Sequence, residues 1–122
     1  MENLNGKNRR RAVRVQFPYA IHIHTVKGAP ISTYTEDISA GGVRVVTQEK
    51  LELNCTVDLK IYVGDRFVRC RGKIIWVKEK TSSVLDGVLF YSAGIEFAIL
   101  SRDDRALLDK CIKDLESRQK RK

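Results

Sequence analysis

Long apolar runs are missing from this chain. No stretch approaches the roughly eighteen consecutive apolar residues that a membrane helix needs, and the N-terminus has no apolar core of a secretory signal. The expected location is the cytoplasm. Cysteine is scarce and unpatterned. Cys55, Cys70 and Cys111 make an odd number at wide spacings, and no Cys-x-x-Cys pair exists to nucleate a zinc site with His22 and His24. Reduced thiols and no metal are expected, with Cys70 and Cys111 on apolar faces. Enzyme signatures are missing as well. The sequence has no Gly-x-Ser-x-Gly, no Walker loop and no Rossmann glycine pattern ahead of a helix. Its carboxylates are scattered or sit where a helix would start, and no Cys/His arrangement points to nucleophilic catalysis. No catalytic residue is expected.

What is present is enough for one domain. A chain of 122 residues with 43% hydrophobic residues buries a sizeable core without metals or disulfides. The formal charge is +8, and its placement matters more than its size. Residues 1–14 carry five basic side chains against one acidic, and residues 116–122 carry four against one. The middle, 15–115, carries fourteen against thirteen. A nearly neutral body with cationic ends favours an anionic partner met by the ends over a broad nucleic-acid face.

Residues 1–8 are polar and read as a flexible leader. From Val15 the chain alternates, with Val15, Phe17, Tyr19, Ile21 and Ile23 on one face and His22 and His24 on the other. That is a half-buried strand. Pro18 has no N–H to donate, so the strand is expected at an edge or with a bulge there. Lys27-Gly28-Ala29-Pro30 is a turn, and strands follow over 31–38, 43–47, 56–63, 66–77 and 89–97, with Gly64-Asp65 as a turn and residues 79–87 as a loop. In the 66–77 strand Val68, Cys70, Gly72, Ile74 and Trp76 share one face; Arg69, Arg71 and Lys73 share the other. The period changes at Ser101. Ser101 and Asp104 form a capping-box variant, Asp103 and Asp104 suit the positive end of a helix, and Leu107, Leu108, Cys111, Ile112 and Leu115 recur at helical spacing. That stripe is expected to cover an open end or face of the sheet. Six short antiparallel strands followed by one helix, without α/β alternation, predict a small closed or nearly closed barrel.

Two stretches stand out for chemistry. Arg9-Arg10-Arg11-Ala12-Val13-Arg14 places four arginines in six residues just ahead of the first strand. Asp37-Ile38-Ser39-Ala40-Gly41-Gly42 offers a carboxylate, a hydroxyl and a glycine turn, with Asp37 and Ser39 on one side of an extended chain. Arginine forks onto phosphate, and onto the O6 and N7 acceptors of guanine; a carboxylate complements the guanine N1–H and N2–H₂ donors. Gly42 tolerates positive φ or close approach by a ligand. These parts suit a nucleotide without choosing among guanine nucleotides.

Arg9, Arg10 and Arg14, followed by Asp37, Ser39 and Gly42, resemble the PilZ domain family, whose pattern is Arg-Arg-x-x-x-Arg followed by (Asp/Asn)-x-Ser-x-x-Gly. The likeness extends to Gly94-Ile95-Glu96-Phe97, to Ile74-Ile75-Trp76-Val77 and to the closing amphipathic helix, over about residues 8–115. It implies a mainly β protein, a six-stranded antiparallel PilZ-type β-barrel with a C-terminal α-helix, acting as a receptor for cyclic di-GMP, a bacterial second messenger. By position, Arg10 and Arg14 would hold phosphates and guanine edges. Asp37 and Ser39 would contact a guanine, and Gly42 would shape the turn beneath it. Arg9 bears on whether one ligand or a stacked pair is bound. The expected organisation is a leader over 1–8, a single PilZ domain over 9–116 and a basic tail over 117–122. Binding would draw the arginine arm across the barrel, and a downstream partner protein would read the new surface, in control of motility, biofilm or virulence. The alternatives are a protein-interaction module acting through the C-terminal helix without nucleotide, and a small basic barrel for RNA or single-stranded DNA.

Overall fold

The computed structural model describes residues 16–81 and 89–120. Six strands form a closed antiparallel barrel: β1 (Ala20–His24), β2 (Ile31–Ser39), β3 (Gly42–Thr47), β4 (Thr56–Val63), β5 (Arg66–Thr81) and β6 (Leu89–Leu100). Their order around the barrel is β1-β2-β3-β6-β5-β4, with β4 closing onto β1. One helix, α1 (Arg102–Lys120), follows. This is the predicted mainly β architecture.

Alternation builds the wall. Ile21 and Ile23 of β1, Val43 and Val45 of β3, and Val57, Leu59 and Ile61 of β4 all point inward and are buried, while the residues between them face out. Closure removes every edge from the sheet, so the edge expected at Pro18 does not exist. The β1 ladder instead starts after the proline. Residues 17–19 lie beside β2, where Thr35 Oγ1 donates to Phe17 O at 2.7 Å and accepts from Tyr19 N at 3.0 Å. Gly64 has φ of 65°, which suits the first position of the two-residue turn between Val63 and Arg66. Strand β5 runs beyond its expected end through residues 79–81, because β6 is long enough to pair with it there (Glu79 with Tyr91, Lys80 with Phe90). Residues 82–87, the rest of the expected loop, lie outside the described residues.

The helix plugs the barrel. Leu108, Cys111, Ile112 and Leu115 join the same buried cluster as the strand residues. Burial pushes the Cys70 thiol up to about 12 and raises that of Cys111, whose Sγ contacts Tyr19 Oη at 2.6 Å. Both thiols are free and buried, in line with a structural role. The start of α1 is capped: Asp104 N donates to Ser101 Oγ at 3.0 Å, and Ser101 Oγ donates back to Asp104 Oδ2 at 2.8 Å. Ser101→Ala removes this cap, and thermal denaturation is expected to show a loss of about 1 kcal/mol. The helix continues to Lys120, through residues expected as tail, and Gln119 Nε2 reaches Gln16 O at 3.3 Å. No helix among the described residues is long and apolar enough to cross a membrane.

Candidate functional site

Two single-residue bulges decide which side chains meet on the outer wall. In β2, Thr35 pairs with Val45, yet Asp37 pairs with Arg44. Glu36 is the extra residue. Thr35 faces the core with Val45; simple alternation from Thr35 would send Asp37 inward after it. The bulge inverts the parity. Ile38 turns into the core opposite Val43, and Asp37 and Ser39 turn outward opposite Arg44 and Gly42.

Strand β5 repeats the device. Ile74 pairs with Ile95 inside the barrel, and Trp76 pairs with Gly94, leaving Ile75 as the extra residue. Trp76 therefore leaves the inward face on which sequence alternation had placed it. It is 37% exposed and lies across Gly94, where any Cβ would fall within the indole ring. Val77 takes its place on the inner side, opposite buried Ala93.

The result is a row across four strands: Asp37, Arg44, Gly94, Trp76. The next row is Ser39, Gly42, Glu96, Lys73. Most of these residues line one open cleft of about 400 Å³, together with Gly41 and Ile75. Arg44 organises its acidic end. Its Nη2 lies 3.0 Å from Asp37 Oδ2, and its Nε lies 3.1 Å from Glu36 Oε1. The Asp37 side chain is 9% exposed and the Arg44 side chain 39%, so the carboxylate forms the floor and the guanidinium reaches the opening. The Glu36 contact has ion-pair distance without hydrogen-bond alignment, since neither of its two atoms finds a hydrogen-bond partner.

Ser39 and Gly42 both stand at the cleft. The Ser39 hydroxyl is turned to the backbone: it accepts from Gly41 N at 3.2 Å and donates to Gly42 O at 3.4 Å. Gly42 is the first residue of β3 and does not have positive φ. It is glycine because a Cβ there would collide with the Ile95 carbonyl oxygen and lie 3.3 Å from Glu96 Cα. The close approach at Gly42 is that of strand β6. The turn is braced from outside by Phe97 N donating to Gly41 O at 2.8 Å and Arg105 Nη1 donating to Ala40 O at 2.6 Å.

Arg9, Arg10 and Arg14 lie outside the described residues. The root of their segment is placed, however. Phe17 O and Tyr19 N are bonded to Thr35, two residues before Asp37. Arg14 precedes Phe17 by three residues in the sequence. Arg44 and Trp76 are the residues that sequence reasoning did not single out. The alternation of β3 marks Arg44 as outward-facing; nothing local marks Trp76. His22 and His24 gather no third ligand, and among the described residues no cluster of three or more His, Cys, Asp or Glu could hold a metal.

Comparison with known proteins bears on this geometry. A search of curated proteins finds no match. Among solved structures, the PilZ domain of YcgR from Escherichia coli, determined with c-di-GMP, aligns with a TM-score of 0.74 at 16% identity over 93% of this chain and 95% of that one. The Bacillus subtilis inhibitor of motility (MotI/DgrA) aligns with a TM-score of 0.72 at 21% identity, over 93% of this chain and 52% of that one. The K. pneumonia MrkH–c-di-GMP complex aligns with a TM-score of 0.75 at 20% identity, over 92% of this chain and 54% of that one. This chain thus spans about half the length of the latter two. At such identities the likeness establishes the fold. The PilZ domain model matches residues 8–114 of the sequence, and the chain belongs to the PilZ domain family.

Proposed function

We propose that this protein is a receptor for cyclic di-GMP, and not an enzyme. The observation that carries the reading is the row of carboxylate, guanidinium, glycine gap and indole across β2, β3, β6 and β5. The Watson–Crick edge of guanine presents an acceptor, O6, beside two donors, N1–H and N2–H₂. Asp37 and Arg44, held 3.0 Å apart, present an acceptor group beside a donor group. Asp37 takes the two guanine donors, and Arg44 meets O6. The exposed Trp76 indole gives the base an aromatic surface. Arg10 and Arg14 of the arginine segment hold the phosphates. Arg9 serves a second ligand molecule where a stacked pair binds. Ser39 and Gly42 keep the turn and the β3–β6 contact that hold Asp37 in place. The solved relatives determined with c-di-GMP support the choice of ligand. The arginine segment, drawn over the bound ligand, forms with it a surface that a downstream partner protein reads, in control of motility, biofilm or virulence.

Calorimetric titration tests this directly, with cyclic di-GMP, cyclic di-AMP and GTP against the wild-type protein, Arg10→Ala/Arg14→Ala and Arg44→Ala. Saturable binding of cyclic di-GMP, lost in the double variant, is expected. Arg44→Ala is expected to weaken it about tenfold, the low end of what a base-reading arginine contributes. That variant also discriminates less against cyclic di-AMP, because adenine offers an N6–H₂ donor where guanine offers O6. A shallow salt dependence is expected, since the ligand has two phosphates, whereas RNA or single-stranded DNA would give a steep one. A folded protein giving neither heat nor a shift in melting temperature with cyclic di-GMP would overturn the reading.

A further inference from the structure

The near neutrality of the body conceals a segregation of charge. Residues 56–73 carry five basic side chains against two acidic, while the rest of 15–115 carries nine against eleven. The surplus lies on β4 and the first half of β5, which occupy a different part of the wall from the cleft. Cross-strand pairing aligns it in rows: His22, Lys60 and Arg69; Tyr62 and Phe67; Asp58, Arg71 and Ile99; Thr56, Lys73 and, on β6, Glu96. Among the described residues, only Arg71 of the four wall cations Lys60, Arg69, Arg71 and Lys73 is in an ion pair, with Asp58 at 3.1 Å.

Two of these cations are held in place by aromatic rings. Lys60 Nζ lies 4.6 Å from the Phe67 ring centroid, and Arg69 Cζ lies 5.3 Å from the same centroid. Phe67 packs against Tyr62 at 6.0 Å, and Tyr62 packs edge-on to His22 at 5.0 Å, with Tyr62 Oη 3.3 Å from His22 Nδ1. Cations fixed over rings lose less conformational freedom when they meet an anion. Beside them a groove of about 520 Å³ opens between Asp58, Lys60, Arg69, Arg71 and Ile99, and Ile99 is 60% exposed.

We infer that this β4–β5 wall docks an acidic segment of a partner protein, one carrying an apolar side chain among its carboxylates. The charge complements an anion, and the rings decide its class. A single-stranded nucleic acid needs open aromatic faces on which bases stack. Here Lys60 and Arg69 lie over the Phe67 ring, which keeps 38% of its surface exposed, and Tyr62 meets its neighbours edge-on, so no ring offers a free face of stacking size. What remains exposed is cationic heads beside Ile99 and the uncovered part of Phe67, which matches carboxylates and an apolar side chain. The surface does not depend on the nucleotide reading, because none of its residues lines the cleft; Lys73 stands in the row of Glu96 and Gly42 at the cleft's border.

Fluorescence anisotropy with labelled poly-L-glutamate, run in parallel with labelled oligo(dT), tests it. The variants are Arg69→Glu/Lys73→Glu and a control, Lys110→Glu/Lys113→Glu, which makes the same charge change on the exposed side of α1. The wall variant is expected to bind poly-L-glutamate at least about tenfold more weakly than wild type, since like charges oppose docking, while the control changes far less. The neutral variant Arg69→Gln/Lys73→Gln should fall between, which guards against misfolding of the first. An equal loss in both glutamate variants would reduce the effect to net charge and overturn the inference. So would an absence of poly-L-glutamate binding, or oligo(dT) binding as tight and as sensitive to the wall variant.

Discussion

Asp37→Ala is expected to weaken cyclic di-GMP binding by roughly 30- to 150-fold, about 2–3 kcal/mol, while the barrel stays folded. The size follows from what is removed. A carboxylate taking two donors from one base is a charge-assisted pair of bonds, each hydrogen bond to a charged group contributing roughly 1.5–3 kcal/mol before losses to imperfect geometry. The loss also exposes Arg44, whose Nη2 is seated on this carboxylate, and an unpaired guanidinium beside guanine N1–H and N2–H₂ is repulsive. Stability should fall as well, by about 1–3 kcal/mol, because the carboxylate is buried beneath Arg44 and its removal leaves that guanidinium without its hydrogen-bonding partner. Asp37→Asn retains one acceptor and should bind with intermediate affinity. Titration calorimetry with parallel melting curves separates the two effects. Undiminished binding by a folded Asp37→Ala protein would remove Asp37 from the site, and with it the base-reading role of Arg44.

Gly42→Ala should lower the stability of the ligand-free protein by about 2–3 kcal/mol, or roughly 6–15 °C in melting temperature for a domain of this size. The new methyl group would meet the Ile95 carbonyl oxygen, with Ile95 C and Glu96 Cα both at 3.3 Å. All three atoms are backbone of β6, and none can swing aside as a side chain would. Relief requires parting β3 from β6 at the Gly42–Glu96 pair, where the ladder is also held by its neighbours Val43 and Ile95. This result distinguishes two roles for the glycine. Were Gly42 needed only to admit a ligand, the substitution would leave the empty protein as stable as wild type and reduce affinity alone. The contact with β6 predicts instead that stability falls first, and that affinity falls with it because the Asp37–Gly42 turn shifts.

Much of this molecule could be read along the chain. Ile21 and Ile23, Val43 and Val45, and Val57, Leu59 and Ile61 alternate, and each set is buried as its period demands. Leu108, Cys111, Ile112 and Leu115 recur at helical spacing and enter the core, and Ser101 caps the helix they belong to. The glycine at 42 was visible as a constraint, but not its cause, since the atom that excludes a side chain belongs to a strand more than fifty residues away.

Local period and composition therefore determined the strands, the helix, the closed-barrel class and the two polar stretches that suggest a nucleotide. Only the tertiary structure decided which side chains face outward beyond Thr35 and Ile74. A bulge is a difference in residue count between one strand and its partner, so its position is set by the register of a pair, and neither the polar Thr35–Asp37 stretch nor the apolar Ile74–Val77 stretch shows by itself where the alternation changes phase. The bulges at Glu36 and Ile75 turn Asp37 and Trp76 out of the barrel, and cross-strand pairing sets Arg44 and Gly94 between them. The cleft is the product of those two inversions and of ladder contacts between segments distant in sequence, which no reading confined to neighbouring residues contains.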